Sequence, residues 1–384
     1  MKKIAVLGYG TVGGGVADVI DTNRAEIESR IGDGIEISYI LDLRSFEGDR
    51  YADRVTSDFN KILSDREVET IVETMGGSHP AYDFSVAAIK AGKNVVTSNK
   101  EVVANFGAEL ISLAAAHGVR YLFEASVGGG IPIIRPMIES LAGNRICSVT
   151  GILNGTTNYI LTEMADAGKS FDDALREAQE KGYAEKDPTA DIEGIDSKRK
   201  ICILAALAFG RMLPENAVKN TGIGKITPED VRAAAKAGAK IKLLGHAEKS
   251  NRGIFASVEP YVINAHSPLG AVDGVYNGII VSGNALGDVM FYGSGAGNLP
   301  TASAVVSDIM DILTHPGAKS EVLFRTADAG DIDSSDRTGR YMIRTALAPH
   351  EGLMALCEGY YIADGITASE IKAIYPDAVC YPVL

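Results

Sequence analysis

Residues 4–15 read IAVLGYGTVGGG, a four-residue apolar run that stops at glycine. A run that short, bounded by turn residues, reads as a buried strand, and Val16, Val19, Ile20, Ile27 and Ile31 then recur at helical spacing. Each glycine of GYGTVG has a physical task. Gly8 permits a tight turn, Gly10 lets a pyrophosphate approach the backbone, and Gly13 lets the helix pack close to its strand, with Thr11 and Val12 on the first helical turn facing the phosphates. A glycine turn without a ligand is the bland alternative, and the strand-to-helix context favours the dinucleotide.

Outward from this stretch the pattern repeats. The alternating strand IEISYIL (35–41) ends at Asp42, with Arg44 two residues on. An acid there suits an adenosine ribose and an arginine suits a 2′-phosphate, so NAD and NADP both remain open. A helix near Phe59–Ser64, the strand TIVE, a helix over 81–91, the strand NVVT, a helix over 100–117 and the strand YLFE ending at Glu124 follow in turn. Strands alternating with helices predict an α/β, doubly wound parallel sheet over residues 1–130. Its ligand-facing loops are GGSHP, SNK and EASVGGG. Lys100 in TSNKE either meets cofactor or substrate or faces solvent at a helix start. EASVGGG either turns backbone carbonyls towards a hard cation or acts as a flexible hinge.

Pro132 and Pro136 mark a junction to a second region, 131–297. There ICSVTGIL runs into Asn154-Gly-Thr-Thr-Asn158 and a helical pattern. Thr156 or Thr157 either caps that helix or helps it bind a carboxylate. The segment Gly182 to Lys200, GYAEKDPTADIEGIDSKRK, holds nine charged side chains immediately before the apolar run ICILAALAFG. One helix over 191–209, started by Asp191 as its cap, places Asp196 and Lys200 one above the other. Either this is a solvated ion pair, or Lys200 is a proton donor oriented by Asp196, with Glu185 and Asp191 holding a substrate ammonium. Three glycines then precede a helix near 298–315 that returns to the first domain.

Composition narrows the function classes. A net charge of −13 with no basic block disfavours nucleic acid and anionic membrane as partners, leaving small molecules. The four cysteines are scattered, which fits buried thiols in a reducing compartment. The opening MKKIAVLGYG is too short for a signal segment, and no apolar run is long enough to span a membrane, so the expected location is cytoplasmic. None of the six histidines stands at metal-ligand spacing or neighbours a nucleophile motif, so hydrolase triads have no support. A dehydrogenase forming an acyl-enzyme would need an accessible cysteine, whereas Cys147 falls in a strand pattern and Cys202 in an apolar helix.

On GYGTVG, TSNKE, EASVGGGIP, NGTTNYIL, GYAEKDPTADIEGIDSKRK and YGSGAGNLPTASAVVSD, in that order from residue 1 to about 320, the chain resembles the homoserine dehydrogenase family. The resemblance implies a Rossmann nucleotide domain completed by a late helix and an α/β substrate-binding and dimerisation domain. It also implies NAD(P)-dependent interconversion of L-aspartate 4-semialdehyde and L-homoserine, on the way to threonine and methionine. By similarity Lys200 is the catalytic proton donor with Asp196 beside it. Glu185, Asp191 and Thr156 match substrate contacts, and Lys100 matches an active-site lysine near the cofactor. Gly182 and Gly297 match cofactor contacts. The carbonyls of Glu124, Val127, Gly129 and Ile131 match a sodium site. A homodimer or homotetramer is implied.

Residues 335–384 depart from that pattern and resemble part of an ACT domain. RYMIRTALA reads as a strand, EGLMALCEGYYIADG as a helix and the remainder as an irregular end. So small a unit cannot readily form its own effector pocket. The expectation is little threonine inhibition, and little loss of activity on deleting residues after Asp336.

Overall fold

The computed structural model describes residues 1–321, 323–347 and 353–384, and the chain divides into two units. The first comprises Met1–Gly143, Ala206–Pro214 and Ser294–Thr326. It is built on β1 (Lys2–Leu7), β2 (Ile35–Leu41), β3 (Val55–Thr56), β4 (Val68–Glu73), β5 (Asn94–Thr97) and β6 (Tyr121–Leu122). These pair in parallel in the order β3-β2-β1-β4-β5-β6. Parallel strands are covered on both faces, and accordingly Ile4, Ala5, Val6 and Leu7 are all inaccessible. Because β2 and β4 flank β1, the strand order reverses at the carboxyl end of β1, where such sheets hold ligands.

Helices α1 (Thr11–Thr22), α2 (Arg24–Ile31), α3 (Phe59–Ser64), α4 (Ala81–Lys90) and α5 (Lys100–His117) lie between the strands. The single helix expected after the glycine turn is therefore two, meeting at Asn23. The strand expected through Glu124 stops at Leu122, and Glu124–Ser126 forms a tight 3₁₀ turn. The helix Asn298–Thr314 packs on α1. Gly15 makes room for it, since a Cβ there would overlap Asn298 Oδ1 and lie 3.1 Å from the Ala302 Cβ. Val16 and Ile20 share one core with Val305, Val306 and Ile309 of that helix.

The second unit comprises Asn144–Ala205, Glu215–Gly293 and Ala327–Leu384. Its six-stranded sheet has the order Gly287–Ser294, Tyr276–Gly283, β7 (Ile146–Ile152), Ala239–Ser250, Gly253–Asn264, Lys219–Asn220. The four central strands are antiparallel. Here lie α6 (Gly155–Asp166), α7 (Phe171–Glu180), α8 (Thr189–Ile192), α9 (Ile195–Phe209) and α10 (Pro228–Lys236). The expected helix over 191–209 is broken by Gly194, whose φ of +76° no helical residue adopts, and Asp191 lies inside α8 rather than capping α9. From Lys200 to Ala206 every residue of α9 is buried, so it is a central helix with no solvated stripe. Gly245 permits this, because a Cβ there would stand 3.3 Å from that of Ile201. Among the described residues no helix is long and apolar enough to cross a membrane.

The tail corrects its expectation. Gly339–Arg344 is a strand as read, although Ala348, at the end of RYMIRTALA, lies outside the described residues. The expected helix over EGLMALCEGYYIADG is a hairpin, Met354–Cys357 and Tyr360–Ile366, with its first residues, 351 and 352, also outside the described part. The turn residues are Glu358 and Gly359, the latter at φ +74°, a left-handed position that glycine supplies without strain. The supposedly irregular end holds the helix Ala368–Ile374, started by a Thr367/Glu370 capping box, and the strand Val379–Pro382. Together they form a four-stranded antiparallel sheet with its own core of Tyr341, Ile343, Ala363, Ile371 and Tyr375.

This sheet is pinned to α10 by Asp230, which is inaccessible to solvent. Asp230 accepts Arg344 Nη1 at 2.8 Å, the Tyr360 hydroxyl at 2.9 Å and the Tyr381 hydroxyl at 2.8 Å. Deletion after Asp336 would strip all three from a buried carboxylate, so tolerance of that deletion is no longer expected. Replacing Arg344 with Met breaks a buried ion pair and should lower stability by about 3 kcal/mol. Tyr381→Phe removes one hydrogen bond to a charged group and should cost about 1.5 to 3 kcal/mol. Urea unfolding of both variants checks this; two wild-type midpoints would show that the tail is not held through Asp230.

Candidate active site

On the nucleotide side, Gly8 turns the chain at φ +89° and Gly10 opens α1. α1 starts with no side-chain cap and no acid in its first turn, which leaves its leading N–H groups to an anion. A Cβ on Gly13 would overlap the Gly8 carbonyl oxygen, whereas one on Gly10 would meet nothing nearer than Arg44 Nη2 at 3.9 Å. Gly13 serves internal packing. Gly10 faces open space of the kind a diphosphate needs, with Thr11 exposed and Val12 half-buried beside it.

Asp42 accepts the Tyr9 N–H at 2.9 Å and is gripped by Arg44 in a fork, Nε to Oδ1 at 3.0 Å and Nη2 to Oδ2 at 2.8 Å. The Arg44 contact, above all, holds the Asp42 carboxyl well below the usual carboxylate range.

Two residues that no motif singled out organise the neighbouring strand ends. Glu73, buried at the end of β4, accepts the Thr97 hydroxyl at 2.5 Å and the Met75 N–H at 2.7 Å, and burial pushes its carboxyl up to about 7. Asn99 donates to the Gly77 carbonyl at 2.8 Å and caps α5 through the Val102 N–H at 3.2 Å. They tie the GGSHP loop to the SNK loop and set Lys100, half-buried, at the first position of α5. An acid closing the apolar strand TIVE was the readable signal for the first.

In the EASVGGG loop the Glu124 carboxylate is taken by the N–H groups of Ile133, Ile134 and Arg135 at 2.7, 2.8 and 2.7 Å. Only its carbonyl is left for a cation. Among the described residues no backbone N–H outside the regular elements is directed at the carbonyl oxygens of Val127, Gly129 or Ile131, whereas the Glu124 carbonyl opens the 3₁₀ turn; all four residues are buried. The glycines are not a hinge. A Cβ on Gly129 would stand 2.5 Å from the Gly295 carbonyl oxygen and one on Gly130 2.8 Å from the Pro300 Cβ. Gly297, at φ +120°, belongs to the segment they press against.

In the second unit Lys200 and Asp196 are 6% and 5% exposed, which excludes a solvated ion pair. Lys200 Nζ donates to the Leu153 carbonyl and pairs with Asp196 Oδ2, both at 2.8 Å. Among the described residues these are its partners, so one ammonium N–H remains for a ligand. Asn154 Nδ2 reaches both Asp191 Oδ1, at 2.7 Å, and Asp196 Oδ2, at 3.0 Å. Burial first, and then the charge of Asp196, raise the Asp191 carboxyl above its ordinary value.

The helix start is capped by neither threonine: Asn154 Oδ1 accepts the Thr157 N–H at 2.9 Å. Thr156 instead donates to the Tyr183 carbonyl at 2.6 Å, fastening the loop that carries Gly182 to the first turn of α6. Glu185 stands exposed on that loop, outside the hydrogen-bonded cluster. The structure thus brings Lys200, Asp196, Asp191 and Thr156 together around Asn154, which the sequence reading passed over although asparagine is a favoured cap.

A doubly wound sheet with a turn shaped for a dinucleotide, joined in one chain to a buried lysine among carboxylates, defines a nicotinamide-dependent oxidoreductase. Of the cysteines only Cys202 is buried as expected, and burial pushes its thiol up to about 12, so it offers the acyl-enzyme alternative no nucleophile. Cys147, on β7, is exposed, and its Sγ donates to the Arg145 carbonyl at 3.6 Å rather than to any member of the Lys200 cluster. Residues 132–310 match the family model for homoserine dehydrogenase and residues 8–124 that for the homoserine dehydrogenase NAD-binding domain. A homoserine dehydrogenase of Synechocystis sp. is 44% identical over 319 residues, spanning 81% of this chain and 73% of the relative. The crystal structure of one from Thiobacillus denitrificans aligns with a TM-score of 0.90 at 35% identity, over 100% of this chain and 98% of that one. A hyperthermophilic archaeal homoserine dehydrogenase in complex with NADPH aligns with a TM-score of 0.70 at 28% identity, over 83% and 99%. The chain belongs to the homoserine dehydrogenase family.

Asp42 and Arg44 neutralise one another, so either freed partner should bias the adenosine end. Asp42→Ala should shift the NADP-to-NAD affinity ratio towards NADP by about tenfold, or about 1.4 kcal/mol, and Arg44→Ala the other way. Dissociation constants of both dinucleotides report this. An unchanged ratio in both variants would remove the pair from the cofactor site.

Proposed function

We propose that this chain interconverts L-homoserine and L-aspartate 4-semialdehyde with NAD(P). The observation that carries the reading is the buried Lys200 ammonium, held at two N–H groups and uncommitted at the third. The substrate has an ammonium, a carboxylate and an aldehyde. Asp191 and Glu185 suit the first, the donor-rich start of α6 with Thr156 the second, and Lys200 the third. When bound, the nicotinamide supplies or accepts hydride at the aldehyde carbon. Lys200 gives a proton to the alkoxide oxygen, or takes one from the hydroxyl in the oxidative direction, and Asp196 keeps the amine oriented. Proton transfer of this kind typically contributes on the order of 10²- to 10⁴-fold.

Gly8, Gly10, Thr11, Val12 and Gly13 hold the diphosphate in this proposal, with Asp42 and Arg44 at the ribose and Lys100, Gly182 and Gly297 as further contacts. A sodium ion is carried by the carbonyls of Glu124, Val127, Gly129 and Ile131, a reading supported by the lack of backbone N–H partners for the last three. The enzyme works in the cytoplasm as a homodimer or homotetramer. The tail, with four strands and one helix, is part of an ACT-like module in this reading.

Absorbance of the reduced nicotinamide on adding homoserine is the direct test, and no homoserine-dependent change with either dinucleotide would exclude the reading. Lys200→Met keeps the stem volume and removes the proton, so kcat should fall by roughly 10²-fold or more while the cofactor still binds. Near-normal turnover would remove Lys200 from the chemistry. Glu185→Gln should raise KM for homoserine, at a cost of about 1.5 to 3 kcal/mol if it meets the ammonium. A change confined to cofactor Kd would assign Glu185 to the other ligand.

A further inference from the structure

We infer that Asn154 is a positioning residue of this active site, its carboxamide holding Asp191 and Asp196 side by side and, through them, fixing the proton donor. The inference rests on the dehydrogenase reading of Lys200.

The orientation of the carboxamide is set by chemistry. The Thr157 backbone N–H can only donate, and it lies 2.9 Å from Oδ1, so Oδ1 is the acceptor and the NH₂ group must face the other way. That group has two protons, and the two atoms within reach are Asp191 Oδ1 at 2.7 Å and Asp196 Oδ2 at 3.0 Å. The same Asp196 oxygen accepts Lys200 Nζ at 2.8 Å, and Lys200 also donates to the carbonyl of Leu153, the residue before Asn154. Two consecutive residues therefore grip both ends of the Lys200–Asp196 pair, one through its carbonyl and one through its side chain.

The arrangement answers a specific electrostatic problem. The charged groups facing Asp191 are Asp196 and Lys200, both from α9, while α6 and its cap contribute the neutral Thr156 and Asn154. Two carboxylates beside one ammonium leave an excess negative charge, and Asn154 is itself only 6% exposed. With little water present, the acids would separate or one would take a proton. An amide placed between them gives each a hydrogen-bond donor without adding a charge. Neither serine nor aspartate can do so, although both cap a helix as well as asparagine does.

That difference makes the test. Asn154→Ser and Asn154→Asp keep the cap acceptor and lose both amide N–H groups. In each variant kcat and KM for homoserine are measured across pH, beside cofactor Kd and the thermal midpoint. Loss of a donor that favours the ionised acid raises its pKa, so the acidic limb of kcat/KM, where Asp191 must be ionised, should move to higher pH. The limb should move further in Asn154→Asp than in Asn154→Ser, because the new carboxylate adds a like charge. kcat/KM at neutral pH should fall at least tenfold while cofactor Kd stays within twofold. In an Asp191→Asn background that limb should be absent, and adding Asn154→Ser should leave the remaining pH profile unchanged. If either single variant is unstable the other still decides, and Asn154→Ser or Asn154→Asp with the wild-type limb and kcat/KM reduces Asn154 to a cap and overturns the inference. Lys200→Met with near-normal turnover would instead sink the dehydrogenase assignment of Lys200 itself.

Discussion

A lysine buried where the polar first turns of α9 give way to its apolar run is the constraint around which the second unit is built. Removing an ammonium from water costs several kcal/mol even after the protein relaxes, so every neighbour of Lys200 has to offset part of that. Asp196 offsets it electrostatically and the Leu153 carbonyl offsets it by hydrogen bonding. The second requirement reaches into the fold, because the carbonyl at the end of β7 must point at α9. Gly245 then becomes necessary, since it brings the sheet close enough to Ile201 for that geometry.

Similar pegs recur elsewhere in the molecule. Lys242, inaccessible within the sheet, donates to Asn158 Oδ1 at 2.9 Å and the Val272 carbonyl at 2.6 Å, so α6 is registered against a strand by a charge. Asp230 does the same for the tail. In the first unit Asp308 accepts the Glu124 N–H at 2.9 Å and Arg135 Nη2 at 2.8 Å, and burial pushes its carboxyl up to about 7. Apolar packing would tolerate small slips at these junctions; a buried charge with two or three directional partners does not.

This division explains what was legible in the sequence. The parallel sheet, the glycine turn and the family were readable because apolar runs, glycine spacing and motif order are local properties of the chain. The break at Gly194 was missed because a helix pattern continues through it, and only the positive φ interrupts it. The hairpin at Glu358-Gly359 was missed because a helical apolar spacing was given more weight than a two-residue turn. In the site, Lys200, Asp196 and Asp191 stood out by charge density. Asn154 and Glu73 did not, since their importance comes from partners dozens of residues away that no spacing rule connects.

The helix Asn298–Thr314 completes the core of the first unit, yet it is made long after the strands and helices it covers. On the ribosome, the apolar side of α1 with Val16 and Ile20 emerges early and finds only part of its cover, in β1, β2 and α2, until residue 314 has left the exit tunnel. At about 5 to 20 residues per second this interval lasts on the order of tens of seconds. Meanwhile the second unit's sheet can already assemble in the gap between the two halves of the first. The nucleotide-binding unit, though it begins the chain, is therefore the one whose newly made form stays open longest to chaperones and to misassociation with sister chains.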